Sequence, residues 1–249
     1  YINRLDSVKF IYGNALEAAD NYIYRLEEQG AEFILFPGDT LDPASKENME
    51  LFSVLRDKST IPFYPVIGNH EAWVNGDALK FNTIFCFHEK GFYAFSKGHA
   101  RFLMVSTPNQ SSLYTHTEQY SWLLRELDQY GHTMKLFLFL HFSFILHPCV
   151  EGFKNDVMQQ LYNFKELLTL FRDYKGIRAV FAGHKNVPSK VIKDGIAHIL
   201  SPQLIQAPCS YDIVDVFETG LIRTVYEIDE QDYLWQSRQA FGKGWRERY

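Results

Sequence analysis

Four short apolar segments of the chain each end at a side chain that can bind a metal ion. The segments have the length of buried β-strands, and a glycine follows three of them. They span residues 33–36, 63–67, 136–140 and 178–182, and the side chains that follow them are Asp39, Asn69 with His70, His141 and His184. Functional groups commonly lie on the loops at one end of a sheet. The pattern therefore predicts a layered α/β domain with a metal site at one sheet edge.

The N-terminal part alternates between strand and helix patterns. Residues 8–12 are apolar and strand-like, and residues 15–29 repeat apolar side chains at helical spacing before Gly30. With the strand at residues 33–36, this order predicts parallel strands joined by a crossover helix. Asp42 before Pro43 is typical of an N-cap followed by proline at the first helical position, which predicts a second helix.

The rest of the chain adds a β-hairpin, two helices and a β-rich end. Lys97 and Gly98 lie between strand patterns at residues 91–96 and 101–106. Thr115 and Glu118 form a capping-box pattern for a helix that ends at Gly131. Further patterns predict a helix near residues 158–174 and strands at residues 190–192, 196–200, 211–216 and 221–227. Because we find no linker, repeat or low-complexity segment, we expect a single domain over residues 1–249.

Composition limits the classes of partner. The 249 residues carry a net charge of −5, and neither a basic stripe nor a long run of one charge is present. This argues against bulk binding to nucleic acid. The apolar run at residues 136–140 is far too short to span a membrane.

The three cysteines bear on the compartment. They have no metal-binding spacing, and an odd thiol remains whichever two pair. Buried free thiols favour a reducing, cytoplasmic location. One disulfide with a free thiol, and a signal peptide removed before Tyr1, both stay open.

Asp39, Asn69 and His70 each have a structural alternative. Aspartate after glycine often closes a turn or caps a helix, and Asn-His after glycine can form a plain turn. Since Asp42 is better placed to cap, we expect Asp39 to supply a carboxylate oxygen to a divalent cation. The Asn69 carbonyl oxygen is a neutral metal ligand, and the adjacent His70 can donate a proton or stabilise charge.

His141 and His184 have a structural alternative as well, because a single histidine after an apolar strand is often a hydrogen-bonded core residue. Four strand ends that all carry metal-competent side chains favour the metal site. His147, before Pro148, is a candidate contact to the site or its substrate.

In this order the motifs resemble those of the calcineurin-like metallophosphoesterases. The chain has Gly-Asp at 38–39, Gly-Asn-His-Glu at 68–71, a strand-terminal histidine at 141 and Gly-His at 183–184. The segment that begins Gln119 and ends Trp122-Leu123 resembles the Gln-x-x-Trp-Leu stretch of members similar to purple acid phosphatases. The resemblance covers roughly residues 8 to 227.

The resemblance implies a fold, a cofactor and a set of roles. The fold is a four-layer α-β-β-α sandwich of two mixed sheets flanked by helices. The cofactor is a divalent ion such as manganese, iron or zinc. The implied metal ligands are Asp39, Asn69, His141 and His184, and in the family two ions share the bridging aspartate, here Asp39. His70 and Asp39 are the implied catalytic residues.

The sequence departs from the family pattern at two places. The family begins with Asp-x-His after its first strand, whereas residues 10–15 here contain neither an aspartate nor a histidine. The family's final Gly-His-x-His ends in Asn186 instead of histidine. In the family these missing groups serve one of the two ions. The resemblance therefore implies one intact metal position and one degenerate position.

Two functional hypotheses follow. The first is a metal-dependent phosphoesterase that acts on a phosphate mono- or diester, in a small molecule or a phosphoprotein. The second is a catalytically impaired or inactive member of the fold that binds phosphate or a protein partner. The surviving His70 and the complete ligand set favour the first, and the two departures favour the second.

Overall fold

The computed structural model describes residues 15–72, 76–147, 160–206 and 209–229. The chain packs as two compact units. The larger unit contains residues 32–184 and 189–200, and the smaller unit contains residues 1–31, 185–188 and 201–249. The predicted strand at residues 8–12 lies outside the described residues.

The larger unit begins with two parallel strands and the helix between them. Strand β1 (Ile34–Pro37) pairs in parallel with β2 (Phe63–Val66), and helix α2 (Lys46–Lys58) connects them. The predicted cap at Asp42 is wrong, because Ser45 is the N-cap and its side chain accepts the Asn48 N–H. The buried face of α2 carries Met49, Phe52 and Leu55.

A six-stranded mixed sheet forms the centre of the larger unit. Its strand order is β3-β4-β5-β6-β8-β7, with β4, β5, β6 and β8 parallel and the two edge strands antiparallel. The strands are β3 (Tyr93–Lys97), β4 (Ala100–Met104), β5 (Lys135–Leu140), β6 (Ile177–Ala182), β7 (Ser189–Lys193) and β8 (Ile196–Leu200). The predicted hairpin at Lys97-Gly98 is confirmed as the β3–β4 connection.

Three helices belong to the connections of this unit: α3 (Ala78–Phe85), α4 (Glu118–Tyr130) and α5 (Phe164–Phe171). The N-cap of α4 is Thr117, which accepts the Tyr120 N–H. The predicted capping box at Thr115 is therefore wrong by two residues. The sequence patterns gave no indication of α3, whose buried face carries Phe81 and Phe85.

Aromatic side chains pack the two sheets of the larger unit against each other. The Phe33 ring lies edge-on to Phe95 at 5.4 Å and to Phe102 at 5.1 Å between centroids. Tyr64 stacks on Phe95 at 3.9 Å. Such pairs bury large apolar areas and add a geometric preference to the packing. These ring contacts help to fix how the two sheets meet.

The smaller unit contains helix α1 (Ala15–Glu28) and an antiparallel hairpin of β9 (Ser210–Val216) and β10 (Leu221–Glu227). Tyr22 of α1 packs on Tyr211 at 5.4 Å, and its hydroxyl donates to Asp229 at 2.6 Å. The predicted α/β class is confirmed. None of the helices in the described residues is long and apolar enough to cross a membrane.

The parallel sheet directs the ends of several strands to one edge. Strands β4, β5 and β6 run in the same direction, so the residues that follow them emerge at the same edge of the sheet. His141 directly follows β5, and His184 lies two residues after β6. The loops after β1 and β2 meet His141 there, since a Cβ placed on Gly38 or Gly68 would touch its ring.

His198 in β8 provides a test of the packing of the six-stranded sheet. Its side chain is buried, and neither ring nitrogen has a hydrogen-bond partner among the described residues. Burial, assisted by Lys193 and opposed by Asp194, lowers the pKa of His198 to about 4. The unfolded chain titrates near the usual value of about 6.5, so it binds more protons than the folded chain between these two values.

We expect stability to fall as pH falls through this window and His198→Leu to remove that part of the loss. Between pH 7 and pH 5 the His198 contribution is about 2 kcal/mol, and none is expected above pH 7. Urea unfolding at both pH values measures it, with the exposed His116→Gln as the control. Equal pH dependence in His198→Leu and the unsubstituted protein would contradict the assignment.

Candidate metal centre

Asp39 emerges from β1 through two successive residues with positive φ. Gly38 has a φ of 84° and Asp39 a φ of 55°. For a residue with a side chain this conformation costs about 1 kcal/mol or more, so other contacts must hold it. The Asp39 N–H donates to Glu71 at 3.1 Å, and Asp39 Oδ1 accepts the His70 N–H at 2.9 Å. These bonds leave Asp39 Oδ2 directed at the histidines.

Gly68 lets the loop after β2 lie directly against Asp39 and His141. A Cβ at this position would lie 2.3 Å from Asp39 Oδ1 and 2.9 Å from His141 Cε1. Those separations are shorter than side chains tolerate, so only glycine permits the approach. Asn69 and His70 follow immediately and are thereby brought next to Asp39.

Glu71 connects the loop after β1 to the loop after β2. Its carboxylate is fully buried and accepts hydrogen bonds from Asp39 N, from Leu41 N at 2.8 Å and from Gly68 N at 2.8 Å. Burial and then the nearby Asp39 carboxylate raise the pKa of Glu71 to about 7, while the N–H donors of Leu41 and Gly68 oppose that rise. The side chain thus fixes the β1 and β2 loops to each other.

His141 is fully buried, and its ring orientation is set by the main chain of β1. His141 Nδ1 lies 3.0 Å from the Pro37 carbonyl oxygen, an acceptor that requires the proton to be on Nδ1. The other nitrogen, Nε2, is therefore the one that faces Asp39 and can bind a metal.

Three atoms from three other strand ends converge on His141 Nε2. Asp39 Oδ2 lies 3.0 Å away, Asn69 Oδ1 2.9 Å and His184 Nδ1 3.0 Å. His184 Nδ1 is also 3.0 Å from Asn69 Oδ1. His184 has a φ of 66°, and its ring packs on Phe142 at 4.3 Å between centroids. The structure thus brings together Asp39, Asn69, His141 and His184.

Hydrogen bonding alone does not account for this cluster. A ring nitrogen carries either one proton or one lone pair, so His141 Nε2 can make one good hydrogen bond, whereas three polar atoms lie within 3.0 Å of it. A central cation attracts all four atoms. The observed separations match the spacing of about 3.0 Å between ligands at right angles on an ion with bonds of about 2.1 Å. The residues present therefore fit a divalent metal ion.

Asp39 and His141 stabilise opposite charges on each other. Burial disfavours ionisation of Asp39, but the charge of His141 and its hydrogen bond outweigh burial and lower the pKa of Asp39. Burial likewise disfavours the charged form of His141, but the Asp39 carboxylate raises the pKa of His141 overall. The Asp39 carboxylate thus favours a positive charge at the centre of the cluster.

His70 lies beside the cluster and is paired with Asp42. His70 Nδ1 is 3.0 Å from Asp42 Oδ1, and His70 Nε2 is 3.7 Å from Asp39 Oδ2. Asp42 thus lies on the Nδ1 side of the ring, and Nε2 faces the site. The sequence interpretation missed Asp42 because it assigned the residue as a helix cap. The sequence does contain a signal for this: Ser45 is a better N-cap for the helix, which leaves Asp42 available to contact His70.

Other residues singled out in the sequence lie as follows. His147 is buried, and its Nδ1 lies 3.0 Å from Ser189 Oγ. Asn186, in the smaller unit, donates from its side-chain amide to Gln206 at 3.4 Å. Cys86 and Cys209 are buried free thiols. Most of the segment at residues 10–15 that departs from the family pattern, and also Cys149, lie outside the described residues.

The comparison with protein families decides the identity of the fold. The model of the calcineurin-like phosphoesterases matches residues 12–188. The chain belongs to the calcineurin-like phosphoesterase family. The resemblance indicated by the ordered motifs is therefore confirmed, and members of this family use divalent metal ions.

Solved structures of phosphatases share this fold. A dimetal phosphatase from Danio rerio is 14% identical, with a TM-score of 0.66 and coverage of 87% of each chain. Purple acid phosphatase PPD1 from yellow lupin is 16% identical with a TM-score of 0.60, covering 86% of this chain and 47% of that one.

The same fold occurs in a protein that is named as an anchor and not as a phosphatase. GAP50, the anchor in the inner membrane complex of Plasmodium, is 15% identical with a TM-score of 0.61, covering 92% of this chain and 89% of that one. At these identities the likenesses establish the fold alone. A sequence comparison with curated proteins gives no match.

Glu71→Gln tests whether this carboxylate holds the site loops together. The amide keeps one acceptor oxygen but turns an NH₂ group toward buried N–H donors, so we expect a loss of about 3 kcal/mol of unfolding free energy. Urea denaturation at pH 8 measures it. The exposed Glu166→Gln in α5 is the matched control and should change stability by less than about 0.5 kcal/mol. Wild-type stability of Glu71→Gln would show that the three bonds do not hold the loops.

Proposed function

We propose that this protein is a metal-dependent phosphoesterase that holds one divalent ion with Asp39, Asn69, His141 and His184. The observation that carries the proposal is that Asp39 Oδ2, Asn69 Oδ1 and His184 Nδ1 converge on His141 Nε2 at separations of 2.9–3.0 Å. The mixed oxygen and nitrogen donor set suits manganese, iron or zinc. When bound, such an ion polarises a phosphoryl oxygen and lowers the pKa of a water molecule.

His70 acts on the leaving oxygen of the ester. Its ring is held by Asp42 on one side, and its Nε2 faces the same region as Asp39 Oδ2. From this position it donates a proton to the leaving oxygen or stabilises charge that develops on the phosphoryl group. Asp42 keeps the imidazole in one orientation, so little reorganisation is needed during the reaction.

The proposal assigns one metal position rather than two. The sequence at residues 10–15 lacks the Asp-x-His of the family, and Asn186 replaces the last histidine of its final motif. The Asn186 side chain instead donates a hydrogen bond from Nδ2 to Gln206 Oε1. A single ion would still supply water activation and phosphate polarisation, but a second ion would be needed to clamp both the attacking and the leaving oxygen. We therefore expect slow turnover and a preference for esters with good leaving groups.

The substrate class is a phosphate mono- or diester in a small molecule or a phosphoprotein. The net charge of −5 and the lack of a basic run give no electrostatic support for a nucleic-acid substrate.

The second candidate is a non-catalytic protein that uses the same site to bind phosphate or a protein partner. The specific observation in its favour is the replacement of the final histidine by Asn186. The retention of His70 with its partner Asp42 favours the enzyme, because an anion-binding site alone needs no oriented proton donor.

His70→Ala separates the two candidates. With added Mn²⁺ and an aryl phosphate as substrate, we expect kcat to fall at least about 100-fold, because the proton donor is lost, while Mn²⁺ affinity stays near that of the unsubstituted protein. Steady-state kinetics and equilibrium dialysis measure the two effects.

The control is His132→Ala, an exposed histidine that precedes β5, at the opposite end of the strand from His141. We expect it to keep wild-type kcat. No turnover by the unsubstituted protein with any of Mn²⁺, Fe²⁺ or Zn²⁺ would overturn the enzyme proposal in favour of the second candidate. Unchanged kcat in His70→Ala would overturn the role of His70.

A further inference from the structure

Thr107, on the loop that follows β4, contacts the main chain at the start of the His141 loop. Its side chain is fully buried, and its hydroxyl oxygen accepts the His141 N–H at 2.7 Å and the Phe142 N–H at 3.2 Å. These are the first two N–H groups after β5 ends. A buried N–H without a partner is costly, so this single hydroxyl determines where the chain turns after the strand.

The two residues held by Thr107 reach both imidazoles of the cluster. His141 contributes its own ring, with Nε2 at the centre of the site. The Phe142 ring packs on the His184 ring at 4.3 Å and edge-on to the His141 ring at 5.2 Å between centroids. A shift of the main chain at residues 141–142 would therefore displace His141 and remove the surface against which His184 rests.

Thr107 is itself held in place from helix α4. The Gln119 side chain accepts the Ser106 N–H at 2.7 Å and donates to the Ser106 carbonyl at 2.7 Å and to the Ser112 carbonyl at 3.1 Å. Gln119 thus takes both main-chain groups of the residue before Thr107, as a neighbouring strand would. Gln119, the first residue of the Gln-x-x-Trp-Leu segment noted in the sequence, therefore fixes the loop that carries Thr107.

We infer that Thr107 is a positioning residue for the metal centre and sets the placement of His141 directly and of His184 through Phe142. This inference rests on the proposed metal-binding function. Loss of a hydrogen-bond partner that orients a metal ligand typically weakens metal affinity by about 10–100-fold. The Thr107 hydroxyl contacts main-chain N–H groups and not the ring nitrogens of His141 and His184. Its effect on metal binding must therefore come through the positions of the two rings.

The test measures Co²⁺ binding by the full chain, with affinity from titration and ligand geometry from the visible absorption of the bound ion. Thr107→Val keeps the shape of the side chain but removes the acceptor for two buried N–H groups. We expect it to weaken Co²⁺ binding by about 10–100-fold and to alter the absorption spectrum. Thr107→Ser restores the hydroxyl, and we expect it to restore both affinity and spectrum. If Thr107→Val does not fold, Thr107→Ala provides the same loss without the branched side chain.

Ser143→Ala is the matched control. Ser143 is buried in the same loop, and its hydroxyl accepts the Ile145 N–H at 3.1 Å and donates to the Ile145 carbonyl at 2.7 Å. Its loss should lower stability yet leave Co²⁺ affinity within about threefold, because it holds neither His141 nor Phe142.

The outcomes separate this inference from the proposed function. Wild-type affinity and spectrum in a folded Thr107→Val or Thr107→Ala would overturn the inference while leaving the proposed function intact. An equal loss in Ser143→Ala, or no rescue by Thr107→Ser, would also overturn it, because the effect would then be one of general stability. Absence of Co²⁺ binding by the unsubstituted protein would overturn the proposed function and the inference together.

Discussion

The close approach of four strand ends is the constraint on which the rest of the larger unit depends. The loops after β1 and β2 touch each other and His141 so closely that a single Cβ at Gly38 or Gly68 would overlap the imidazole or the Asp39 carboxylate. Gly183 lies equally close to the Pro37 carbonyl oxygen, 2.5 Å from where its Cβ would be. Main-chain groups brought this close must be hydrogen-bonded, and buried side chains satisfy them: Glu71 accepts from the β1 and β2 loops, and Thr107 accepts from the loop after β5.

This packing has an electrostatic consequence. Asp39 Oδ2, Asn69 Oδ1 and His184 Nδ1 each lie within about 3 Å of His141 Nε2 in a site that is largely removed from water. Burial would normally oppose charge there, yet the pKa of Asp39 is lowered and that of His141 is raised, because each charge stabilises the other. A divalent cation can take the place of that internal proton, and metal binding is therefore coupled to proton release.

Sequence reasoning identified the four side chains that converge in the structure, and their role as metal ligands stays a prediction. It did not identify the residues that hold them in place. Asp39, Asn69, His141 and His184 are recognisable because each follows an apolar strand, and parallel strands bring their ends to one edge whatever the details of packing. Asp42 was misassigned because capping preference is a local rule, and the partner that overrides it, His70, lies far away in sequence. The roles of Glu71 and Thr107 depend wholly on tertiary contacts, so no periodicity or spacing in the sequence indicates these roles. The domain count remains a prediction, since the described residues pack as two compact units.

The central claim is that Asp39 is the carboxylate of a single metal position. Equilibrium dialysis of the purified chain against Mn²⁺, followed by elemental analysis, tests it most directly when the unsubstituted protein is compared with Asp39→Asn. Asparagine keeps the oxygen that can accept the His70 N–H but removes the negative charge that attracts the ion. We expect close to one bound ion per chain in the unsubstituted protein and none in Asp39→Asn. Two ions per chain, or equal binding by the two proteins, would contradict it.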